Sequence, residues 1–124
     1  MENKVISKEE FLNIMSNYMS NIANRKLSVE MELGVEYDTI SMSPSIKLYI
    51  KVFNRVIYIH DNSINTALSE YADNLGYTLN DYKFIGGVRR MGMHVDEDTP
   101  YFSGIKLYMI KKDNVLKLKS KQTM

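Results

Sequence analysis

The feature that most limits the fold is a helix pattern near the start of the chain that is followed at once by a strand pattern. Ser7 and Glu10 form a capping box, in which each side chain can accept a hydrogen bond from the other residue's backbone amide. Apolar residues then recur at three- and four-residue spacing, which predicts an amphipathic helix whose apolar face packs on a sheet or on a second copy of itself. The apolar residues of this face are Phe11, Ile14, Met15, Tyr18, Met19 and Ile22.

Strand patterns occupy the next part of the chain. Apolar and polar residues alternate over 27–36, which predicts a strand with one solvent-exposed face that carries Glu30, Glu32 and Glu36. The β-rich runs SIKLYIKVF and VIYIH follow, separated by Asn54 and Arg55. Because Asn tolerates the left-handed conformation of a tight turn, these runs predict a hairpin.

A second helix and further strands complete the predicted architecture. Residues 61–63 offer N-caps for a helix that Gly76 would end, and residues 77–112 are β-rich. The order α-β-β-β-α-β-β predicts an α+β fold with an antiparallel or mixed sheet of about five strands and two helices. We expect residues 1–112 to form a single ligand-binding domain and residues 113–124 to be a Lys-rich, partly disordered tail.

Composition and charge exclude several classes of function. The 124 residues carry 16 basic and 15 acidic side chains, and a net charge of +1 provides no field for holding a long nucleic acid. The absence of cysteine removes disulfides, thiolate zinc sites and cysteine nucleophiles. No signal peptide or apolar run long enough to span a bilayer is apparent, so we expect a soluble cytoplasmic protein that does not contact a membrane.

Few residues suit catalysis or metal binding. The chain has two histidines and no nucleophile elbow, phosphate-binding loop or dinucleotide-binding motif. His94, Asp96 and Asp98 alternate, and on an extended segment they would place three potential metal ligands on one side. The alternative is a strand that ends in a solvated acidic loop before Pro100. We therefore predict a protein that is not an enzyme and has no resident metal or cofactor.

The segment FIGGVRRMGMHVDEDTPYF, residues 84–102, combines the groups that an anion-binding site needs. Gly86 and Gly87 allow a ligand to approach the backbone closely, and Arg89 and Arg90 supply planar donors suited to phosphate. Met, Phe and Tyr residues nearby could enclose a flat base. The alternative is that these apolar residues belong to the core, the arginines are surface charges and the glycines only shape a hairpin.

Two other basic features were considered as binding surfaces. Arg55 at the hairpin tip could reach across an interface and stack on a base, although a solvated turn residue has the same sequence pattern. Lys47 and Lys51 share a strand face with Tyr49 and Phe53, as in weak nucleic-acid surfaces, but the acidic residues of the preceding strand oppose an extended basic groove.

The leading helix, the central hairpin and helix, and the closing segment over 84–102 together resemble the phage anti-Thoeris sponge family called Thoeris anti-defence one. The resemblance covers most of the chain in layout. It implies a small homo-oligomer, with sites at a subunit interface, that sequesters a cyclic ADP-ribose isomer made by a TIR-domain enzyme without cleaving it. Cyclic oligonucleotides are a further class of ligand that the resemblance implies.

The same resemblance implies which residues contact the ligand. Arg89 and Arg90 would hold the pyrophosphate. Met93 and Arg55 would enclose the adenine, and Asp98 and Thr99 would contact its edge. Phe84 and Phe102 would form the walls of the pocket.

Two other functions are compatible with the sequence. One is a protein-binding inhibitor, such as an anti-CRISPR protein, that uses a tyrosine-rich sheet and a Met-bearing helix as its interface. The other is a metal-dependent enzyme that uses His94, Asp96 and Asp98.

Overall fold

The chain forms two helices and six strands in a computed structural model that describes residues 1–37, 42–90 and 98–112. The predicted α+β class is confirmed, and the predicted order is found with one additional strand at the start. The elements, in chain order, are β1 (Glu2–Ser7), α1 (Lys8–Ala23), β2 (Glu30–Tyr37), β3 (Met42–Val52), β4 (Arg55–Tyr58), α2 (Asp61–Asn74), β5 (Tyr77–Arg90) and β6 (Asp98–Lys111).

The strands form two antiparallel sheets of three strands each, instead of one sheet of about five. The first sheet has the order β1-β6-β5 and the second has the order β2-β3-β4. In the first, Ile105 of β6 pairs with Ile6 of β1 on one side and with Phe84 of β5 on the other. β6 is therefore the central strand of its sheet, as β3 is of the second.

β1 was not predicted, because its sequence ENKVIS has only two adjacent apolar residues. Of these, Ile6 is fully buried and Val5 is 60% exposed on the other face. One buried residue gives no period-two pattern that could be recognised. The strand exists because its backbone pairs with β6 from Glu2 to Ser7.

α1 begins as predicted and is held against α2 by a polar contact. The hydroxyl oxygen of Ser7 accepts a hydrogen bond from the backbone amide of Glu10 at 3.1 Å, so Ser7 is the N-cap. The Glu10 carboxylate accepts a hydrogen bond from the hydroxyl of Tyr71 on α2 at 2.8 Å. Burial and this hydrogen bond raise the pKa of Tyr71 above its usual value.

The core lies between the helices and the inward faces of the two sheets. Phe11 and Met15 of the predicted α1 face are fully buried, whereas Ile22 at its far end is 62% exposed. No polar or charged residue among those described is buried. The buried apolar residues are Ile6, Phe11, Met15, Leu27, Val29, Leu48, Ile50, Ile64, Ala67, Leu68, Ala72, Phe102, Ile105, Leu107 and Met109.

The ends of α2 and the β3–β4 hairpin are close to their predicted positions. His60, one residue before the predicted caps, is the N-cap, and Gly76 ends the helix with a φ of 88°. The predicted tight hairpin is present, but its turn is formed by Phe53 and Asn54, with φ values of 50° and 63°. The turn lies one residue earlier than predicted, because Phe53 adopts a left-handed conformation that its residue type disfavours.

Gly104 is predicted to be essential for the packing of β6 against β1. A Cβ atom at this position would overlap the carbonyl oxygen of Ile6. We expect Gly104→Ala to lower the free energy of unfolding by about 1 to 3 kcal/mol in urea denaturation, because backbone must move to relieve the overlap. The matched control is Gly34→Ala, whose Cβ would lie 3.8 Å from the Cβ of Ser45 and should change stability by less than about 0.5 kcal/mol. Equal losses in the two variants would contradict the close contact.

The Tyr71–Glu10 contact predicts how stability responds to alkaline pH. Because folding raises the pKa of Tyr71 above its ordinary value of 10.0, the stability it contributes is complete below pH 10 and falls as the pH rises toward the folded-state pKa. We expect Tyr71→Phe to cost about 1 kcal/mol at pH 7 and less above pH 10, measured by thermal unfolding. Tyr77→Phe, at an exposed contact with Glu2, should cost less at pH 7. A Tyr71→Phe cost that stays constant from pH 7 to pH 11 would contradict this assignment.

Candidate ligand-binding site

The last residues of β5 and the first residues of β6 bring together four of the predicted site residues. The antiparallel register pairs Arg89 with Thr99 and Arg90 with Asp98. Arg89 and Arg90 therefore lie next to each other on β5, directly opposite Thr99 and Asp98 on β6. Thr99 is exposed. This cross-strand group, Arg89, Arg90, Asp98 and Thr99, is called the distal hairpin end below.

Two glycines next to the distal hairpin end allow β6 to pack closely against β5. A Cβ on Gly86 would lie 2.5 Å from the carbonyl oxygen of Tyr101, so the backbones of β5 and β6 can approach there only with glycine. A Cβ on Gly87 would lie 3.0 to 3.2 Å from three atoms of the Tyr101 ring. The ring of Tyr101 therefore lies against the Gly87 backbone, in the way that aromatic side chains cover glycine in a paired strand.

A β-bulge separates this region from the regular part of the sheet. The register shifts between Ile85 and Gly86, where Ile85 pairs with Gly104 and Gly86 pairs with Phe102, so Ser103 has no opposite residue. The Ser103 hydroxyl donates a hydrogen bond to the carbonyl oxygen of Ile85 at 3.1 Å. Bulges redirect the strand that follows them, and this one sets the direction of the distal hairpin end.

Phe84 and Phe102 belong to an aromatic cluster in the core. Their ring centroids lie 5.7 Å apart, and each ring is edge-on to Phe11, at 6.3 Å for Phe84 and 6.0 Å for Phe102. Phe102 is only 7% exposed, whereas Phe84 is half-buried. Phe102 therefore supports the strands beneath the site, and Phe84 is the ring of this pair with surface available to a ligand.

Arg55 lies far from the other predicted site residues within one copy of the chain. It follows the hairpin turn and pairs with Val52, at the end of β3 opposite to Pro44. Pro44 and Phe84 line the same cleft. At about 3.4 Å per residue, the run from Pro44 to Val52 spans about 27 Å, so Arg55 and Phe84 do not share a single-chain site.

Three residues named from the sequence lie outside the described residues. These are Met93, His94 and Asp96, and the tail over 113–124 lies outside them too. Among residues 1–37, 42–90 and 98–112, no group of three His, Asp or Glu side chains is placed to hold a metal ion.

A cleft beside Phe84 was not predicted. It encloses about 390 Å³ between the start of β3, the first turn of α2 and the middle of β5, and its residues come from elements far apart in sequence. Burial and the charges of Asp61 and Asp81 raise the pKa of Tyr82 on its wall. The lining residues are Pro44, Ser45, Ile46, Lys47, Asp61, Ile64, Tyr82 and Phe84.

The lysine-bearing face of β3 is neutralised by β2, as the sequence suggested. Lys51 lies 3.8 Å from the Glu30 carboxylate in an ion pair exposed to solvent. The hydroxyl of Tyr58 donates a hydrogen bond to Glu32 at 3.3 Å, and the charge of Glu32 raises the pKa of Tyr58. This pairing of charges opposes binding of a nucleic-acid backbone along the second sheet.

Neither of the two described helices is both long and apolar enough to cross a membrane. Comparisons with protein-family models, with curated proteins and with solved structures give no match.

The contact between Tyr101 and Gly87 can be tested by substitution. We expect Gly87→Ala to displace the Tyr101 ring, because the added methyl would crowd a side chain that can move, at a cost of about 1 kcal/mol. In proton NMR spectra, the shielding of the backbone protons at position 87 by the ring should disappear. Tyr101→Leu should abolish the same shielding without adding a methyl group. Spectra of residue 87 unaffected by Tyr101→Leu would show that the ring does not lie there.

Proposed function

We propose that this protein binds a cyclic ADP-ribose isomer made by a TIR-domain enzyme and sequesters it without cleaving it, as a phage anti-defence protein in the host-cell cytoplasm. The observation that carries the proposal is the cross-strand register of the distal hairpin end, which sets Arg89 and Arg90 opposite Thr99 and Asp98. The resemblance to the Thoeris anti-defence one family gives the ligand class. Cyclic oligonucleotides are a second class of ligand to test.

The residue types at the distal hairpin end match the parts of such a ligand. Guanidinium groups form paired, charge-assisted hydrogen bonds with phosphate oxygens, which suits Arg89 and Arg90 to a pyrophosphate. A hydroxyl at Thr99 and a carboxylate at Asp98 can bind ribose hydroxyls or the amino edge of adenine. Gly86 and Gly87 allow Tyr101 to pack closely against β5 beside these residues.

Aromatic surface for the base lies on the strands that lead to the distal hairpin end. Tyr101 covers Gly87 next to the arginines, and Phe84 has accessible surface in the 390 Å³ cleft. Flat aromatic rings offer stacking surface at low entropic cost, because they have only two rotatable side-chain bonds. Met93 is proposed as a further apolar contact.

Binding without turnover is proposed because the sequence offers few groups for covalent chemistry. It has no cysteine and two histidines, so the usual pairs of nucleophile and base are scarce. Affinity would come from donors and stacking surfaces fixed on paired strands, which lose little freedom when the ligand binds.

A site completed by a second copy would account for Arg55. Within one chain Arg55 is separated from the Phe84 cleft by the length of β3. A role for Arg55 in enclosing the adenine therefore requires Arg55 to come from another subunit of a homo-oligomer.

Calorimetric titration with cyclic ADP-ribose isomers tests the function. We expect tight binding, and the ligand released by heating should be chemically unchanged when it is analysed by chromatography. Arg89→Ala and Arg90→Ala should each weaken binding by about 10- to 150-fold, which corresponds to about 1.5 to 3 kcal/mol for one charge-assisted contact. Arg25→Ala, which removes an arginine that contacts Phe53 in the other sheet, should leave the affinity unchanged.

The alternatives give different results in the same titration. An altered ligand would identify an enzyme. The absence of heat with every nucleotide, together with co-purification of a macromolecule, would favour the protein-binding inhibitor. Unchanged affinity in the folded Arg89→Ala and Arg90→Ala variants would show that the ligand binds elsewhere.

A further inference from the structure

β4 is an edge strand whose four residues are all exposed. Val56 is 49% exposed, Ile57 47% and Tyr58 57%, and the adjoining turn residue Phe53 is 86% exposed. Large apolar side chains are thus concentrated along one short edge. Contiguous apolar surface of this kind marks an interaction site more often than isolated exposed residues do.

The unpaired backbone groups of β4 can be assigned from the ladder. The backbone amide of Ile59 donates a hydrogen bond to the carbonyl oxygen of Leu48 at 2.8 Å. Because hydrogen-bonded pairs alternate along antiparallel strands, Ile57 and Arg55 also direct their backbone groups toward β3. The amide and carbonyl groups of Val56 and Tyr58 therefore point away from β3, toward the open edge.

Of the features by which proteins prevent pairing at a sheet edge, β4 has its short length and one charged residue, Arg55. β4 contains no proline or lysine, and its register with β3 is regular. The opposite edge strand of the same sheet, β2, carries Glu30, Glu32 and Glu36. Charged side chains and proline on edge strands oppose association, so β2, with three glutamates, is better protected than β4.

We propose that β4 pairs antiparallel with β4 of a second copy of this chain, centred on Ile57. A two-fold axis perpendicular to the sheet would set Ile57 opposite Ile57 of the second copy and Val56 opposite its Tyr58. In this register the outward amide and carbonyl groups of Val56 and Tyr58 form two hydrogen-bonded pairs. The result is a continuous six-stranded sheet, and the inference does not depend on the proposed ligand.

The side chains of β4 are complementary to themselves in this register. Val56 and Tyr58 would form aromatic–β-branched pairs on one face, and Ile57 would pair with its copy on the other face. The only charged residue of β4, Arg55, would lie opposite Ile59 of the second copy and two residues before its Asp61. The two Arg55 residues would be separated by about 14 Å along the strands, beyond the screening length of about 8 Å.

Charge also favours a second copy over a strongly charged partner. Among the described residues neither Arg55 nor Asp61 has an ion-pair partner. The two-fold dimer would bring Arg55 of each copy toward Asp61 of the other copy. Because the paired segment is short, we expect a reversible, concentration-dependent dimer rather than an obligate one.

Sedimentation equilibrium tests the dimer with a matched pair of variants. The mean mass of the wild-type protein should rise from 14.4 kDa toward twice that value as concentration increases. Val56→Lys should weaken association at least about tenfold, because it places two lysines beside the new strand pair. Val5→Lys introduces the same change at another exposed valine, on β1, and should leave association unchanged. Monomeric wild-type protein at all concentrations would overturn the proposal.

Because the chain contains no cysteine, single cysteines can test the register. Opposite residues in a non-hydrogen-bonded antiparallel pair have Cβ atoms about 4.5 to 5.5 Å apart, so Ile57→Cys should form a disulfide-linked dimer on mild oxidation. Two copies of Val56→Cys would have Cα atoms about 9 Å apart, too far for a disulfide, and should cross-link far less. Val5→Cys is the control for random collision.

The cross-linking outcomes either support or overturn the assigned pairing. Selective cross-linking of Ile57→Cys supports it. Equal cross-linking of all three variants, or preferential cross-linking of Val56→Cys, would overturn it. Thermal unfolding of each reduced variant confirms that it is folded, and a wild-type chain that binds another protein through β4 but never itself would overturn the proposal as well.

Discussion

The close contact of β6 with its two neighbours is the constraint on which the rest of the structure depends. Gly104 allows the backbone of β6 to lie against Ile6 of β1, and Gly86 allows the same approach of β5 against Tyr101. Ser7, which pairs with Gly104, is both the last residue of β1 and the N-cap of α1. The sheet contact therefore fixes where the first helix starts, and the bulge beside it sets the direction of the distal hairpin end.

The sequence predicts those elements whose stability is local. The α1 cap, the helical spacing of Phe11 and Met15, and the Gly76 stop can all be recognised within a few residues. It does not predict β1, because that strand depends on pairing with β6 about 100 residues later, nor the division into two sheets, which depends on strand order. The cleft beside Phe84 was missed for the same reason, since Lys47, Asp61 and Tyr82 are distant in sequence.

The candidate site shows the same distinction between local and non-local information. The sequence places Arg89, Arg90, Asp98 and Thr99 in one short segment, and the register of β5 and β6 then pairs the arginines with Thr99 and Asp98. Spacing could not show that Phe102 is buried against Phe11, or that Arg55 belongs to the other sheet. The distal hairpin end and the open β4 edge thus lie on different sheets.

The claim tested most directly is that the distal hairpin end is where a nucleotide binds. The decisive measurement is an NMR titration of isotope-labelled protein with a cyclic ADP-ribose isomer, followed through backbone amide resonances. We expect the largest shifts at Gly86, Gly87, Thr99 and Tyr101. Shifts confined to residues around Lys47 and Asp61, or no shifts at ligand excess, would contradict it.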